Sequence, residues 1–436
     1  MSFVHWRVFG AVFVWGLGDG LWLFVLPLYV ADLGATPAQI GWVLSLSIIG
    51  AALLFIPAGI WIDRHRRKPV FVAGYSLATI AVAGMAFAPT WQTLLPGLAL
   101  YNLTILSRPA LHSYLTSYCI DPGHEGRCFG RTFSGYPLGA LLTPALGAYL
   151  GQATGLRDVF LLAVIFYFVS IILLLRLPGD RQIVARETRP AFDNATRAGA
   201  SHSVGTVVFF FAFFLALNLG QPLAANYLSS DRGVSLQWIG VMGSVTALGT
   251  VVLNWLCGLL PEEPPWALLA VVAAVAAGLF LLLAASNLPF LLVGCFFLAG
   301  ASTGAVISSG FLRRRTRPEH LGEAFGQRDM ALYLAIAASS WLAGQLYQQD
   351  PALPLRIGLL ALTVMAAILL LLYRQAARPA APCPSTKDSS LLVSFTVPEG
   401  FCVQPAEFIR RAVVILRMAV RKNPYLTTGS GGDRIR

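Results

Sequence analysis

Apolar runs of about 20 residues follow one another along most of this chain, each long enough to cross a bilayer as an α-helix. In lipid only helices and closed barrels satisfy every backbone polar group, and runs of that length select helices. The balance of residues agrees: 56% are hydrophobic and 12% charged, and a mean hydropathy of +0.69 excludes an ordinary soluble domain. The predicted fold is an all-α membrane protein with twelve transmembrane helices, at 8–30, 38–62, 69–88, 92–117, 129–152, 157–177, 205–229, 235–260, 265–285, 288–311, 326–347 and 354–374. The first run follows His5 and Arg7 and continues to Val30. That is too long for the apolar core of a signal peptide, so it reads as the first helix.

The second and third runs are separated by Gly59-Ile60-Trp61-Ile62-Asp63-Arg64-His65-Arg66-Arg67-Lys68. A central Arg or Lys costs about 2.5–3.5 kcal/mol on insertion scales, so this cluster must form a tight loop at a membrane face. Its cations end the preceding helix, where the macrodipole favours positive charge. Gly59 allows close helix approach one turn earlier. Other basic connections hold Arg127 and Arg131, the stretch from Arg176 to His202, Arg313 to Arg317, and Arg374 with Arg378. The alternate connections hold only Arg157, Arg232 and Arg356. By the positive-inside rule the basic set and both termini are cytoplasmic. The chain reads as a multi-pass protein of the cell (inner) membrane. Its net charge of +11 reads as orientation signal and contact with anionic membrane lipids, with no nucleic acid as partner.

The two halves repeat each other. Gly34-x-Thr36-x-x-x-Ile40-Gly41 returns as Gly233-x-Ser235-x-x-x-Ile239-Gly240, an offset of 199 (233 − 34). The same offset relates Asp19 to Asn218, Gly59 to Gly258 and Asp63 to Glu262. Pro122-x-His124-x-Gly126-x-x-Phe129-Gly130 returns as Pro318-x-His320-x-Gly322-x-x-Phe325-Gly326, an offset of 196 (318 − 122). Six helices were therefore duplicated, and parallel halves of this kind place a substrate site at the midplane between them. The expected organisation is a six-helix bundle over 1–177, a cytoplasmic linker over 178–204, a second six-helix bundle over 205–375 and a basic cytoplasmic tail over 376–436. Residues 405–422 of the tail suit an amphipathic helix on an anionic membrane surface.

Asp19, in Gly16-Leu17-Gly18-Asp19-Gly20, is the clearest acid deep inside an apolar span. Such a group is expected to be neutral, paired or wetted, and to take and release a proton or hold a cation. Arg108, before Pro109 in the fourth span, is a candidate partner and the second coupling residue. Trp22 of the first span, and Gln221, Asn226 and Tyr227 of the seventh, are candidate substrate-binding residues, and Pro222 is expected to break the seventh helix near them. No Cys or acid cluster at metal spacing accompanies His124 and His320, and no Gly-rich phosphate loop with Lys-Ser/Thr is present. The expectation is a chain with no metal, no cofactor, no ATP motor and no enzymatic activity.

The Gly59–Lys68 stretch resembles the loop between the second and third helices of the major facilitator superfamily, Gly-x-x-x-Asp-Arg-x-Gly-Arg-Arg. Gly59, Asp63, Arg64, Arg67 and Lys68 match it, and Arg66 stands where the family has Gly. The resemblance implies a gating latch between two bundles. Gly130, Gly139, Pro144 and Gly147 resemble the fifth-helix signature of antiporters and drug exporters in that superfamily, with Thr143 and Ala148 replacing Gly. Arg108 matches the Arg of a fourth-helix motif that the family links to proton movement. Together these imply a secondary transporter working by alternating access, acting as a monomer on a small-molecule substrate. Proton-coupled export of an amphipathic or cationic molecule is the favoured expectation. A proton symporter or facilitator for a sugar or organic acid is the second, and a non-transporting scaffold or sensor the third.

Overall fold

A computed structural model describes residues 3–63, 67–107, 110–111, 114–115, 118, 131–179, 196–257, 264–284, 289–303 and 321–376. Met1–Arg378 pack as one compact unit. Pro379–Arg436, with nearly all of the tail, lie outside the described residues. Every one of the twelve expected spans contains described helix. In chain order the helices are α1 (Phe3–Trp22), α2 (Leu26–Asp32), α3 (Pro37–Asp63), α4 (Arg67–Ala86), α5 (Trp91–Asn102), α6 (Gly135–Leu142), α7 (Pro144–Thr154), α8 (Leu156–Leu175), α9 (Thr196–Asn218), α10 (Leu236–Cys257), α11 (Pro264–Ala284), α12 (Pro289–Ala299), α13 (Leu321–Gln349) and α14 (Leu353–Ala376). Among the described residues, seven helices are long and apolar enough alone to cross a membrane, or eight if α1 and α2 count as one bent span.

Several spans are broken, the seventh near Pro222 as expected and the first without any such expectation. The first turns by 42° between α1 and α2. Pro27 explains this: it has no N–H to continue the ladder and sits in the first turn of a new helix. The fifth divides at Thr143, with Pro144 opening α7. The seventh leaves α9 at Asn218, passes through a turn, and resumes as Ala224–Asn226 and a π-helical Tyr227–Asp231. The fourth tightens after α5 into a 3₁₀ turn, Leu103–Ser107. Two boundaries also move. Helix α9 begins at Thr196, inside the expected linker, and α13 begins at Leu321, inside the repeated loop motif.

Among the described residues, several close contacts join the two halves. A methyl group on Gly41, in the first turns of α3, would lie 2.6 Å from the Ser340 carbonyl oxygen and 2.9 Å from the Gly344 Cα of α13. One on Gly240, at the matching place in α10, would lie 2.7 Å from the Pro144 carbonyl oxygen. The repeated glycine motif thus has a packing reason: only glycine lets these backbones meet. Beside these contacts the Ala145 N–H donates to Ser244 Oγ at 3.3 Å. Trp42 and Trp341 meet edge to face at 6.1 Å.

Candidate functional site

Asp19 sits three residues before the end of α1 and is 2% exposed. Its carboxylate is enclosed by hydroxyls from three other spans. Tyr101 of α5 donates to Oδ1 at 2.6 Å, Tyr167 of α8 donates to Oδ1 at 2.5 Å, and Tyr136 of α6 donates to Oδ2 at 2.8 Å. A hydrogen bond to a charged group contributes about 1.5–3 kcal/mol, so the three hydroxyls offset part of the cost of burying a carboxylate here. Around them is an aromatic wall. The Trp22 indole N–H donates to the Tyr167 oxygen at 2.8 Å. Trp15 stacks on Tyr167 at 4.1 Å and meets Tyr75 of α4 at 4.4 Å. Trp22 stands edge-on to Tyr101 at 4.9 Å. One carboxylate therefore ties four spans of the first half together.

The small residues of the fifth span explain how α1 comes so close. Gly139 lies against the backbone from Phe13 to Leu17, and Gly147 against that of Leu21. Pro144 stands at the break between α6 and α7, with its carbonyl turned to Gly240 of the second half. Gly130 lies outside the described residues, as do Arg64, Arg108, His124 and His320. Gly59 and Asp63 belong to α3, but their side chains are not described.

Lys68 is tied within its own half. Its Nζ donates to the carbonyls of Leu175 at 3.0 Å and Leu177 at 2.5 Å. The Arg7 guanidinium reaches the Arg176 carbonyl at 2.5 Å, and Tyr114 and Tyr118 donate to those of Pro178 and Gly179 at 2.9 and 2.8 Å. Five successive carbonyls, from Leu175 at the end of α8 to Gly179 beyond it, accept from side chains of the first, third and fourth spans. Arg67 opens α4 beside Lys68.

Of the expected substrate residues, Trp22 is fully buried in the aromatic wall. Gln221 lies in the turn of the seventh span. Asn226 Nδ2 donates to the Pro27 carbonyl at 3.3 Å, across the two halves. The Tyr227 oxygen accepts from Arg232 Nε at 3.1 Å and Nη2 at 2.9 Å, towards the outer end of that span. Tyr347 of α13 donates to Asp231 there at 2.6 Å. Sequence reasoning missed the three tyrosines, because no spacing links residues on separate spans. It also passed over Arg328 and Asp329, an ion pair at 2.5 Å in α13, although two charges at the start of an apolar run were a visible signal.

The family model described as Major Facilitator Superfamily matches residues 8–260 and again residues 204–432. The chain belongs to that superfamily. It is 27% identical over 350 residues to the multi-drug resistance efflux pump PmrA of Streptococcus pneumoniae, covering 76% of this chain and 87% of the pump. It is 30% identical over 146 residues to the niacin transporter NiaP of Acinetobacter baylyi, covering 34% of this chain and 33% of that one. The nucleoside transporter NupG has the same fold, with a TM-score of 0.68 at 16% identity over 86% of this chain and 100% of its own. As a superfamily member the chain is a multi-pass secondary transporter of small molecules, built of twelve helices in two pseudo-symmetric bundles, and not an enzyme.

Proposed function

We propose that this transporter exports a small amphipathic or cationic molecule in exchange for protons. It works as a monomer in the cell membrane, with both termini in the cytoplasm and anionic lipid around its basic loops. The observation that carries this reading is the buried Asp19 carboxylate, held by Tyr101, Tyr136 and Tyr167. Such a group attracts either a proton or a cation, and occupancy by one disfavours the other. The similarity to an efflux pump over three quarters of the chain supports the outward direction. The glycine contacts described between the halves lie near the sparsely charged connections, which the positive-inside rule places outside. Gly59, Asp63, Arg64 and Arg67 bias which face opens, and Arg108 tunes the proton affinity of Asp19.

The test uses inverted vesicles and ethidium as the cationic probe. Asp19→Asn is expected to abolish ethidium flux driven by a pH gradient while leaving ethidium exchange intact. Driven flux equal to wild type would remove Asp19 from coupling. The match to NiaP favours a second reading, proton-linked uptake of an organic acid. Inward accumulation of nicotinate in right-side-out vesicles that collapses with the pH gradient would decide for it.

A further inference from the structure

The first and sixth spans lie side by side and antiparallel. Tyr167 of α8 reaches Asp19 of α1 at 2.5 Å, Ser170 Oγ donates to the Ala11 carbonyl at 2.8 Å, and Arg7 Nη1 donates to the Arg176 carbonyl at 2.5 Å. The last of these rungs stands where α8 ends, with Arg176 as its C-cap. Ile165, Phe168, Val169 and Leu175 share one face of α8 at helical spacing and are 41–62% exposed, so that face meets acyl chains. Arg176, also exposed, follows directly on that stripe. The neighbouring end of α1 exposes Phe3 and Trp6, and the Arg7 guanidinium lies 3.9 Å above the Phe3 ring. Two apolar edges therefore end at two guanidinium groups.

Both groups have donors to spare. A guanidinium carries five N–H bonds. Arg7 gives one to the Arg176 carbonyl. Among the described residues, nothing accepts from the Arg176 side chain, and no acid pairs with either arginine. Lys68 approaches the same peptide units, with Nζ on the Leu175 and Leu177 carbonyls. Three cations thus surround three consecutive residues. The carbonyls and the helix C-terminus offset part of the charge of Arg7 and Lys68. That of Arg176 stands beside them at the membrane face, and like charges this close repel unless an anion lies between them.

We infer that the adjoining ends of α1 and α8 form a binding site for one anionic phospholipid, with its phosphate between Arg7 and Arg176 and an acyl chain along Phe3, Trp6 and Leu175. Planar N–H edges suit paired phosphate oxygens. A diacyl lipid fits better than a free phosphate, because half of the lining is exposed hydrocarbon that a soluble anion leaves uncovered. A zwitterionic headgroup fits worse, since it brings its own ammonium among three cations. This deepens the reading of anionic lipid around the basic loops and rests on the cytoplasmic orientation proposed above. It does not depend on the substrate or on the direction of transport.

The experiment is lipid binding to the full-length purified protein, delipidated in an uncharged detergent and followed by native mass spectrometry and melting temperature. The probes are phosphatidylglycerol and phosphatidylcholine with the same acyl chains. Wild type is expected to bind its first phosphatidylglycerol about tenfold more tightly than phosphatidylcholine. Arg176→Gln is expected to weaken phosphatidylglycerol about fivefold, the effect of one cation at an anionic surface, and to leave phosphatidylcholine within about twofold. Its side chain is exposed, so the variant is expected to melt as wild type does without lipid. Arg157→Gln removes the same charge at the other end of α8 and is expected to leave both affinities within about twofold. Equal wild-type affinities, unchanged phosphatidylglycerol binding in Arg176→Gln, or an equal loss in Arg157→Gln would each overturn the site. Glycerol 3-phosphate in large excess is expected to leave the melting temperature unaltered, and a rise matching that with phosphatidylglycerol would replace the lipid by a free phosphate. Ethidium flux separates the two readings: phosphatidylglycerol preference without export leaves the lipid site standing, and export without the preference removes the site alone.

Discussion

The first and seventh spans are copies of one another that have diverged in what they do with polarity. Both carry a polar residue just before a break, Asp19 in one and Asn218 in the other, and both resume as a short helix beyond it. In the first copy every feature converges on the carboxylate: three tyrosines bind it and two tryptophans enclose it. In the second copy Asn218 donates to the Phe214 carbonyl of its own helix at 2.8 Å, a local bond with no reach to other spans. Duplication preserved the break, a backbone feature, while the charge stayed on one side. One half thus holds a carboxylate bonded to three other spans and the other an amide bonded only within its own helix, a division within a symmetric frame.

The largest expected effect tests that division directly. Asp19→Ala is expected to lower proton-driven ethidium turnover by about 100-fold or more, the range for loss of a proton-transfer group. Asn218→Ala is expected to stay within about threefold of wild type, since its exchange removes one local hydrogen bond. Comparable losses at both positions, measured in the same vesicles, would break the comparison.

The next effect concerns what the halves still share. Gly41 meets Gly344 and Gly240 meets Pro144 through equivalent turns of equivalent helices. Leucine at either place forces the backbones apart, and overpacking of this kind costs about 1–3 kcal/mol, enough to slow closure of the outer end roughly tenfold. Gly41→Leu and Gly240→Leu are therefore expected to reduce turnover to a similar extent with little change in ethidium affinity. A difference greater than about fivefold would show that the seam itself has become one-sided.

What was legible in the sequence follows from what is local. Span length is a property of a contiguous run, so the spans were visible as runs, although the starts at Thr196 and Leu321 were not. Asp19 stood out because an acid inside an apolar run violates a local rule. The glycine repeat was visible as a pattern, although its partner, the α13 segment around Ser340 and Gly344, was not. The break at Pro27 was missed because the run around it stays apolar, whereas Pro144 and Pro222 were noticed beside glycines and polar residues. The cage of Tyr101, Tyr136 and Tyr167 was invisible for a deeper reason. Its members come from three spans, and only the packing of α5, α6 and α8 around α1 brings their hydroxyls to one carboxylate.

The smallest expected effect concerns the connection after the second span, where the two copies differ most in sequence. The first copy has Arg64, Arg66, Arg67 and Lys68, whereas the second, Gly258 to Trp266, has no Lys or Arg. Family resemblance makes Lys68 part of a latch between bundles, yet its ammonium caps the Leu175 and Leu177 carbonyls of its own half. A latch acts on the equilibrium between two states and leaves the stability of each bundle alone. A cap does the reverse. Lys68→Met is therefore expected to lower the melting temperature by about 2–4 °C, the size of one lost cap in a domain of this scale. Turnover at a temperature well below melting is expected to change by less than about twofold. Lys68→Arg, which keeps a charged donor at the same helix end, is expected to recover most of the loss. A tenfold change in turnover with unaltered melting would return Lys68 to the latch and take the cap out of the comparison.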